Sequence, residues 1–275
     1  MLCQLLRRRW LCLALLAAGA IHASGTAGAE PRQLRVLSYN IHHAEGVDRQ
    51  LDVERIARVI LSVNPDLVAL QEVDQRVTRT RGIDQPAELA RLTRLQVVFG
   101  GNIPLQGGHY GNAVLSRFPI TRQQNHRLPN IGGSEQRGVL EVEIALPPDQ
   151  QPLRLYATHL DFRPDDRERW ESAEKINSLV TPHPAQPALL AGDLNDVPGS
   201  RTLTRFTTQW SLANEKPLAT IPVEQPKQQI DFVLFRPQAR WRVTEVRVLE
   251  EAVASDHRAI LAVLELLPAP PRARH

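Results

Sequence analysis

Cysteine is nearly absent from this 275-residue chain: it has two, Cys3 and Cys12, and both fall within the first 29 residues. Everything after them is free of thiol chemistry, which excludes disulfide bridges, thiolate metal sites and a cysteine nucleophile. A net charge of one sign is also missing. The whole chain carries 33 basic and 30 acidic residues, but three of the basic ones are Arg7, Arg8 and Arg9, and no acid precedes Glu30. From Glu30 onward the formal charges therefore balance at zero, so global charge gives no support for nucleic-acid binding. No apolar run reaches the ~20 residues needed to cross a bilayer; the longest candidate is Trp10 to Ala20. No Gly/Ser-rich linker, abrupt change of composition or internal repeat divides the remainder.

The first 29 residues read instead as an export signal. A positive stretch at Arg7–Arg9 precedes the apolar run, and small residues follow, with Ala27-Gly28-Ala29 as a cleavage site. That order is the secretory pattern. It predicts a periplasmic or secreted protein without a stable membrane span, and an absence of thiols suits an oxidising space. The expected organisation is a signal over 1–29, one catalytic domain over 30–267 and a flexible Pro-rich basic tail over 268–275, with a monomer as the expected state.

Strand and helix patterns alternate along the chain. Leu34 to Tyr39 alternates apolar and polar residues and predicts a strand. Asp52 is a plausible cap for a helix that puts Ile56, Val59, Ile60 and Val63 on one face, and Asn64-Pro65-Asp66 ends it. Leu67 to Leu70 predicts a buried strand, and Asp84-Gln85-Pro86 opens a second helix. Further strands are predicted at 113–115, 139–144, 153–158, 188–191, 230–235, 242–248 and 259–264, with a helix over 165–180. Several strands follow one another without a helix between them. That argues against a doubly wound sheet and favours two sheets packed face to face with helices outside.

Polar residues capable of metal or proton chemistry stand at the ends of these strands. Asn40 closes the first, and Gln71-Glu72 follows the second. Thr158-His159 closes the strand from Leu153, and Gly192-Asp193-Leu194-Asn195 follows that from Ala188. Asp231 opens the strand at Ile230, and Ser255-Asp256-His257 precedes the last. Taken singly, each has a plainer reading as a turn residue, a helix cap or a structural histidine. Taken together they offer carboxylates for a hard divalent cation, a base for water and donors for developing charge, the set that phosphoester hydrolysis requires.

The ordered segments resemble the endonuclease/exonuclease/phosphatase superfamily, whose members include pancreatic-type deoxyribonucleases, abasic-site endonucleases, neutral sphingomyelinases and inositol polyphosphate phosphatases. The matching stretches are Ser38-Tyr39-Asn40-Ile41, Leu70-Gln71-Glu72-Val73, Gly111 to Ser116, Arg137-Gly138-Val139-Leu140, Thr158-His159-Leu160, Gly192 to Asn195, Ile230-Asp231-Phe232 and Ser255-Asp256-His257. The resemblance implies an α/β four-layer sandwich of two packed mixed β-sheets flanked by helices. It implies one metal ion, or two, usually Mg²⁺ with Mn²⁺ as the substitute. Glu72 and Asn40 would hold the ion, and Asp256 would add a ligand or a supporting contact. Asp193 would orient or deprotonate the attacking water, with Asn195 fixing its geometry. His257, held by Asp231, would serve acid–base chemistry or stabilise the phosphate. His159 would donate to a phosphate oxygen, Arg137 would neutralise its charge, and Asn112 would contact the substrate. The histidine at 159 points to the deoxyribonuclease and sphingomyelinase branch. Deoxyribonucleases pair that histidine with a glutamate, and Gly107 to Gly111 supplies none.

The resemblance fixes a reaction class and not a substrate. A nuclease is the leading specific case, with Arg76, Arg79 and Arg81 as a candidate basic cluster. A lipid or small phosphodiester, an inositol phosphate and a non-catalytic binding module on the same fold are the alternatives.

Overall fold

A computed structural model of the chain describes residues 32–147 and 151–269. The expected export signal, and residues 270–275 of the expected tail, lie outside the described residues.

Two six-stranded sheets form the centre. The first has the order β11-β12-β1-β2-β4-β3, built from β1 (Arg32–Asn40), β2 (Leu67–Gln75), β3 (Gln96–Leu105), β4 (Gly108–Ser116), β11 (Trp241–Val248) and β12 (Ile260–Leu266). The second has the order β5-β6-β7-β8-β10-β9, built from β5 (Ile120–Arg127), β6 (Gly138–Leu146), β7 (Gln151–His159), β8 (Ala188–Asp193), β9 (Ser211–Leu212) and β10 (Asp231–Arg236). Each sheet has a parallel pair at its middle joined by a helix. In the first, α1 (Val53–Ser62) links β1 to β2; in the second, α3 (Arg167–Val180) links β7 to β8. Antiparallel strands flank each pair, so both sheets are mixed.

Strand alternation sorts the side chains into layers. Val36, Ala69, Val114, Val142, Leu155, Ala191 and Val233 fill the space between the sheets. Their chain neighbours point outward. Leu37, Leu70 and Leu115 pack under Ile56 and Ile60 of α1 and Leu89 of α2 (Gln85–Thr93). Tyr156, Leu190 and Leu234 pack under Ala173 and Ile176 of α3 and Phe206 of α4 (Arg201–Phe206). The result is the four-layer α/β sandwich that the sequence predicts. Fully burying one such Leu or Ile side chain contributes about 1.5–3 kcal/mol. Among the described residues, no helix is long and apolar enough to cross a membrane.

Helix starts follow local chemistry. The Asp52 carboxylate accepts from the Arg55 N–H at 2.7 Å, and that of Asp84 from the Ala87 N–H at 3.2 Å, which satisfies donors that the first turn leaves free. α3 begins at Arg167, two residues after the expected Asp165. β2 runs beyond Leu70 because it resumes pairing with β4 after a bulge. Leu70 faces Ala113 and Val73 faces Gly111, so β2 carries one extra residue, and Glu72 sits there with φ +58°. β3 and β5 were not expected. β5 is a sheet edge with the mostly exposed sequence ITRQQNHR, and β3 contains Gly100-Gly101 and Pro104, so neither shows strand periodicity.

Candidate active site

The parallel pairs bring their carboxyl ends to the same rim of the sandwich, where open α/β sheets bind ligands. Asn40 ends β1, His159 ends β7 and Asp193 ends β8. β10 runs the other way, so its first residue, Asp231, lies opposite Asp193 in the register. β12 is antiparallel to β1, which delivers the preceding loop, and with it His257, to the Asn40 end.

Asp193 is the hub and is 1% exposed. Its Oδ2 accepts from Asn40 Nδ2 at 3.1 Å and lies 3.4 Å from His159 Nε2 and 3.7 Å from His257 Nε2. Its Oδ1 accepts from the Asn195 N–H at 2.9 Å. Asn195 adopts φ +49° and donates from Nδ2 to the Leu160 carbonyl at 3.0 Å, which pins the turn. Gly192 is required here: a Cβ on it would stand 2.0 Å from the Thr158 carbonyl oxygen across the parallel β7–β8 pair. Burial, helped by the neighbouring Asp231 charge, pushes the Asp193 carboxyl up to about 7, the range in which a carboxylate can take a proton from water at neutral pH.

His257 forms the next layer. Its Nδ1 meets Asp231 Oδ2 at 2.9 Å. A carboxylate only accepts, so Nδ1 carries a proton and Nε2 faces Asp193. Burial opposes the charged ring, but the carboxylates of Asp231 and Asp193 and the hydrogen bond to Asp231 outweigh it and raise His257 to about 10. The imidazolium is thus the stable form near neutrality.

His159 has the opposite character. Burial and the Arg137 guanidinium hold it well below its ordinary range, so it is neutral. Arg137 Nη1 approaches His159 Nδ1 at 3.3 Å and Glu135 Oε1 at 2.8 Å. An arginine only donates, so Nδ1 is the acceptor and Nε2 carries the hydrogen. No described carboxylate meets His159 Nδ1; Arg137 occupies it, and Glu135 pairs with Arg137. Burial raises Glu135.

Glu72 completes the mouth. Asn40 Nδ2 donates to its Oε1 at 3.1 Å, and among the described ion pairs none includes Glu72. A non-glycine residue at φ +58° costs about 1–2 kcal/mol, and here the cost aims a carboxylate at the rim. Two expected residues stand differently. Asn112 is 1% exposed and donates to the Gly138 carbonyl at 3.1 Å, tying β4 to β6 rather than facing the mouth. Asp256 is exposed, with its Oδ1 3.3 Å from the Ser255 hydroxyl, and belongs to neither close group of possible metal ligands. Those groups are Asp193, Asp231 and His257, and His42, His43 and Glu72.

A cavity of about 190 Å³ opens among Glu72, Arg137, His159, Asp193, Asn195 and His257. Tyr110, Glu135 and Phe162 also line it, and no periodicity or spacing along the chain marks them. Phe162 is 68% exposed at its lip. Of the three arginines after β2, only Arg79 is held by a buried carboxylate; Arg76 is largely exposed, and Arg81 is exposed and in none of the described ion pairs. Arg79 makes two 2.8 Å bonds to the buried Asp74 carboxylate, and Arg76 pairs with Asp84 at 3.2 Å.

Two mixed sheets joined by strand-end carboxylates, asparagines and histidines define a class of phosphoester hydrolases. The chain matches the Endonuclease/Exonuclease/phosphatase family over residues 37–257 and belongs to it. It is 27% identical over 247 residues to the uncharacterised protein YbhP of Escherichia coli K12, covering 84% of this chain and 96% of that one. A 5'-tyrosyl-DNA phosphodiesterase of Caenorhabditis elegans is 24% identical over 170 residues, 59% of this chain and 43% of that protein. The crystal structure of an endonuclease/exonuclease/phosphatase from Beutenbergia cavernae superposes with a TM-score of 0.73 at 28% identity, covering 88% of this chain and 74% of that one.

Proposed function

We propose that this protein is an exported, metal-dependent phosphodiesterase in which Asp193 activates water. The observation that carries the reading is the position of Asp193, within 3.7 Å of two histidines of opposite protonation and bonded to the asparagine that also binds Glu72. The mouth has an excess of carboxylates (Glu72, Glu135, Asp193, Asp231) over cationic groups (Arg137, His257), and Glu72 has no cationic partner among the described ion pairs. That underneutralised set fits a divalent cation. Glu72 would hold it, with Asn40 beside it. When bound, the ion offsets the negative charge of the phosphoryl oxygens.

The chain's own groups supply the rest. Asp193 Oδ2 takes the proton of the water whose oxygen forms the new bond to phosphorus, and the Asn195 N–H holds that carboxylate in place. The bond from phosphorus to the leaving oxygen breaks in line. His257, kept charged by Asp231, donates from Nε2 to the phosphoryl group or the departing oxygen. His159 donates its Nε2–H to a non-bridging oxygen, and Arg137 adds a fixed positive charge.

A nucleic acid is the leading substrate, in the form of a strand end or short segment. Phe162 offers a stacking face to a single ring at the lip of the cavity, and the engagement of Arg79 by the buried Asp74 carboxylate removes one charge from the arginine cluster after β2. The similarity to a tyrosyl-DNA phosphodiesterase supports a diester with an aromatic or nucleotide leaving group. The export part of the proposal rests on the pattern of residues 1–29.

The test is hydrolysis by residues 30–275 with Mg²⁺ or Mn²⁺. The substrates are an aryl phosphodiester, an aryl phosphomonoester, DNA and a phospholipid diester, each with EDTA and Asp193→Ala controls. Diester cleavage that needs metal and Asp193 is expected. Monoester turnover alone would replace the diesterase reading with a phosphatase one, and no turnover by a protein that binds no metal would leave only a binding module.

A further inference from the structure

Immediately after Asn40 the backbone makes a left-handed turn without any glycine. His42, His43 and Ala44 have φ of +44°, +43° and +61°. Three such residues in a row cost several kcal/mol at about 1–2 kcal/mol each, so the surrounding structure must enforce the turn. The His42 N–H donates to Asn40 Oδ1 at 3.1 Å, and the Ala44 N–H to the Ile41 carbonyl at 2.8 Å. The fully buried Gln85 clamps the other side. Its Nε2 donates to the His43 carbonyl at 2.6 Å while its Oε1 accepts from the Asp74 N–H at 2.9 Å. One glutamine thus ties the turn to β2 just beyond the Glu72 bulge.

The enforced geometry gathers nitrogen donors around Glu72. One ring nitrogen of His42, one of His43 and a carboxylate oxygen of Glu72 lie within 4.8 Å of one another. Ligands on one ion at ~2.0–2.2 Å bond lengths stand about 3–4 Å apart, so small side-chain rotations close the set. His42 Nδ1 meets the Glu45 carbonyl at 2.9 Å. A carbonyl only accepts, so in the neutral ring Nδ1 carries the hydrogen and Nε2 presents a lone pair. This is the arrangement that holds metal-ligating histidines, a second ring nitrogen bonded to a carbonyl. His43 Nδ1 is buried and has no hydrogen-bond partner. The nearby Arg79 charge is matched by Asp74.

We infer that the divalent ion held by Glu72 takes two further protein ligands from His42 and His43, and that this makes the site prefer a transition ion such as Zn²⁺ or Co²⁺ over Mg²⁺. The inference rests on the proposed role of Glu72 in metal binding. Imidazole nitrogen suits borderline ions, whereas Mg²⁺ selects oxygen ligands and keeps its waters.

The test uses chelator-stripped protein, residues 30–275, titrated calorimetrically with Zn²⁺, Co²⁺ and Mg²⁺. Wild type should bind Zn²⁺ and Co²⁺ at least about 100-fold more tightly than Mg²⁺. Each of His42→Ala and His43→Ala should weaken the transition ions by about 10- to 100-fold, the range seen when support of a metal ligand is lost, with little effect on Mg²⁺. Bound Co²⁺ in unmutated protein should give intense visible bands, and a pulsed magnetic-resonance spectrum of a paramagnetic ion there should show coupling to imidazole nitrogen; neither needs a variant that folds. Absence of nitrogen coupling, with Zn²⁺ binding lost in Glu72→Gln but unchanged in both histidine variants, would overturn the inference and leave the Glu72 reading intact. Unchanged metal binding in Glu72→Gln would overturn the Glu72 reading itself.

Discussion

Replacing Asp231 by Asn tests the electrostatic core of the proposed mechanism. The Asp231 carboxylate meets His257 Nδ1 at 2.9 Å, and both groups are nearly buried. Opposite charges at about 3–4 Å in a medium of effective dielectric ~20 attract by roughly 4–6 kcal/mol. The rise of His257 from 6.5 to about 10 corresponds to roughly 5 kcal/mol at 1.36 kcal/mol per pH unit, the same order after burial has opposed it. Asp231 also contributes to the rise of Asp193. If activity needs ionised Asp193 and protonated His257, kcat/KM climbs with pH through the Asp193 limb and falls through the His257 limb. Asparagine removes a negative charge that raises both groups. Both limbs therefore move to lower pH, and the alkaline limb moves by about two units or more. The amide can also donate to His257 and favour the wrong tautomer, so the maximum rate should fall about 10²- to 10⁴-fold. The assay is a pH profile of kcat/KM on an aryl phosphodiester at saturating metal and constant ionic strength. A variant within tenfold of wild type, with its alkaline limb unmoved, would refute the pairing of Asp231 with a charged His257.

Asp193→Ala should abolish turnover and leave the fold intact by circular dichroism. Burial raises this carboxyl from 3.8 to about 7, so folding takes up a proton there, and metal-free wild type should lose stability as pH rises from about 4 to 7; thermal melts of the variant should lack that part of the fall. Gly192→Ala drives a Cβ to 2.0 Å from a backbone oxygen and should cost about 1–3 kcal/mol. A melting point lowered by several degrees and kcat down by ~10² from displacement of Asp193 are expected; an unshifted melt would show that the strand pair yields freely. Glu135→Gln should weaken the hold on Arg137 and lower kcat by less than tenfold, measured with saturating substrate, while Glu135→Lys at the same position should be far worse because it repels the guanidinium.

The sequence by itself determined more of the site than of the sheets. Polar residues at strand ends are legible because a buried strand of Leu, Val and Ala that stops at Asn40, His159 or Asp193 breaks its own pattern, and the order of those breaks marks the family. The central strands were legible for the same reason, since both of their faces are buried. The edge β11 was legible but the edges β3 and β5 were not: β5 needs few apolar residues because one side of it meets water, and its polar sequence resembles a loop. What only the tertiary structure decided is which groups touch. The pairing of Asn40 with Asp193 bridges 153 residues, whereas that of Asp231 with His257, 26 residues apart, was expected through the family resemblance alone. Glu135 reaches His159 through Arg137, a relation that spacing along the chain does not encode. Asn112 and Asp256 mark the same limit from the other side, because a residue inside a family motif can serve the frame or stand in solvent. The bulge at Glu72 and the left-handed turn at His42–Ala44 contain no glycine, so nothing local announces them. Both exist because contacts from distant elements, Asn40 and Gln85 above all, outweigh the backbone's own preference.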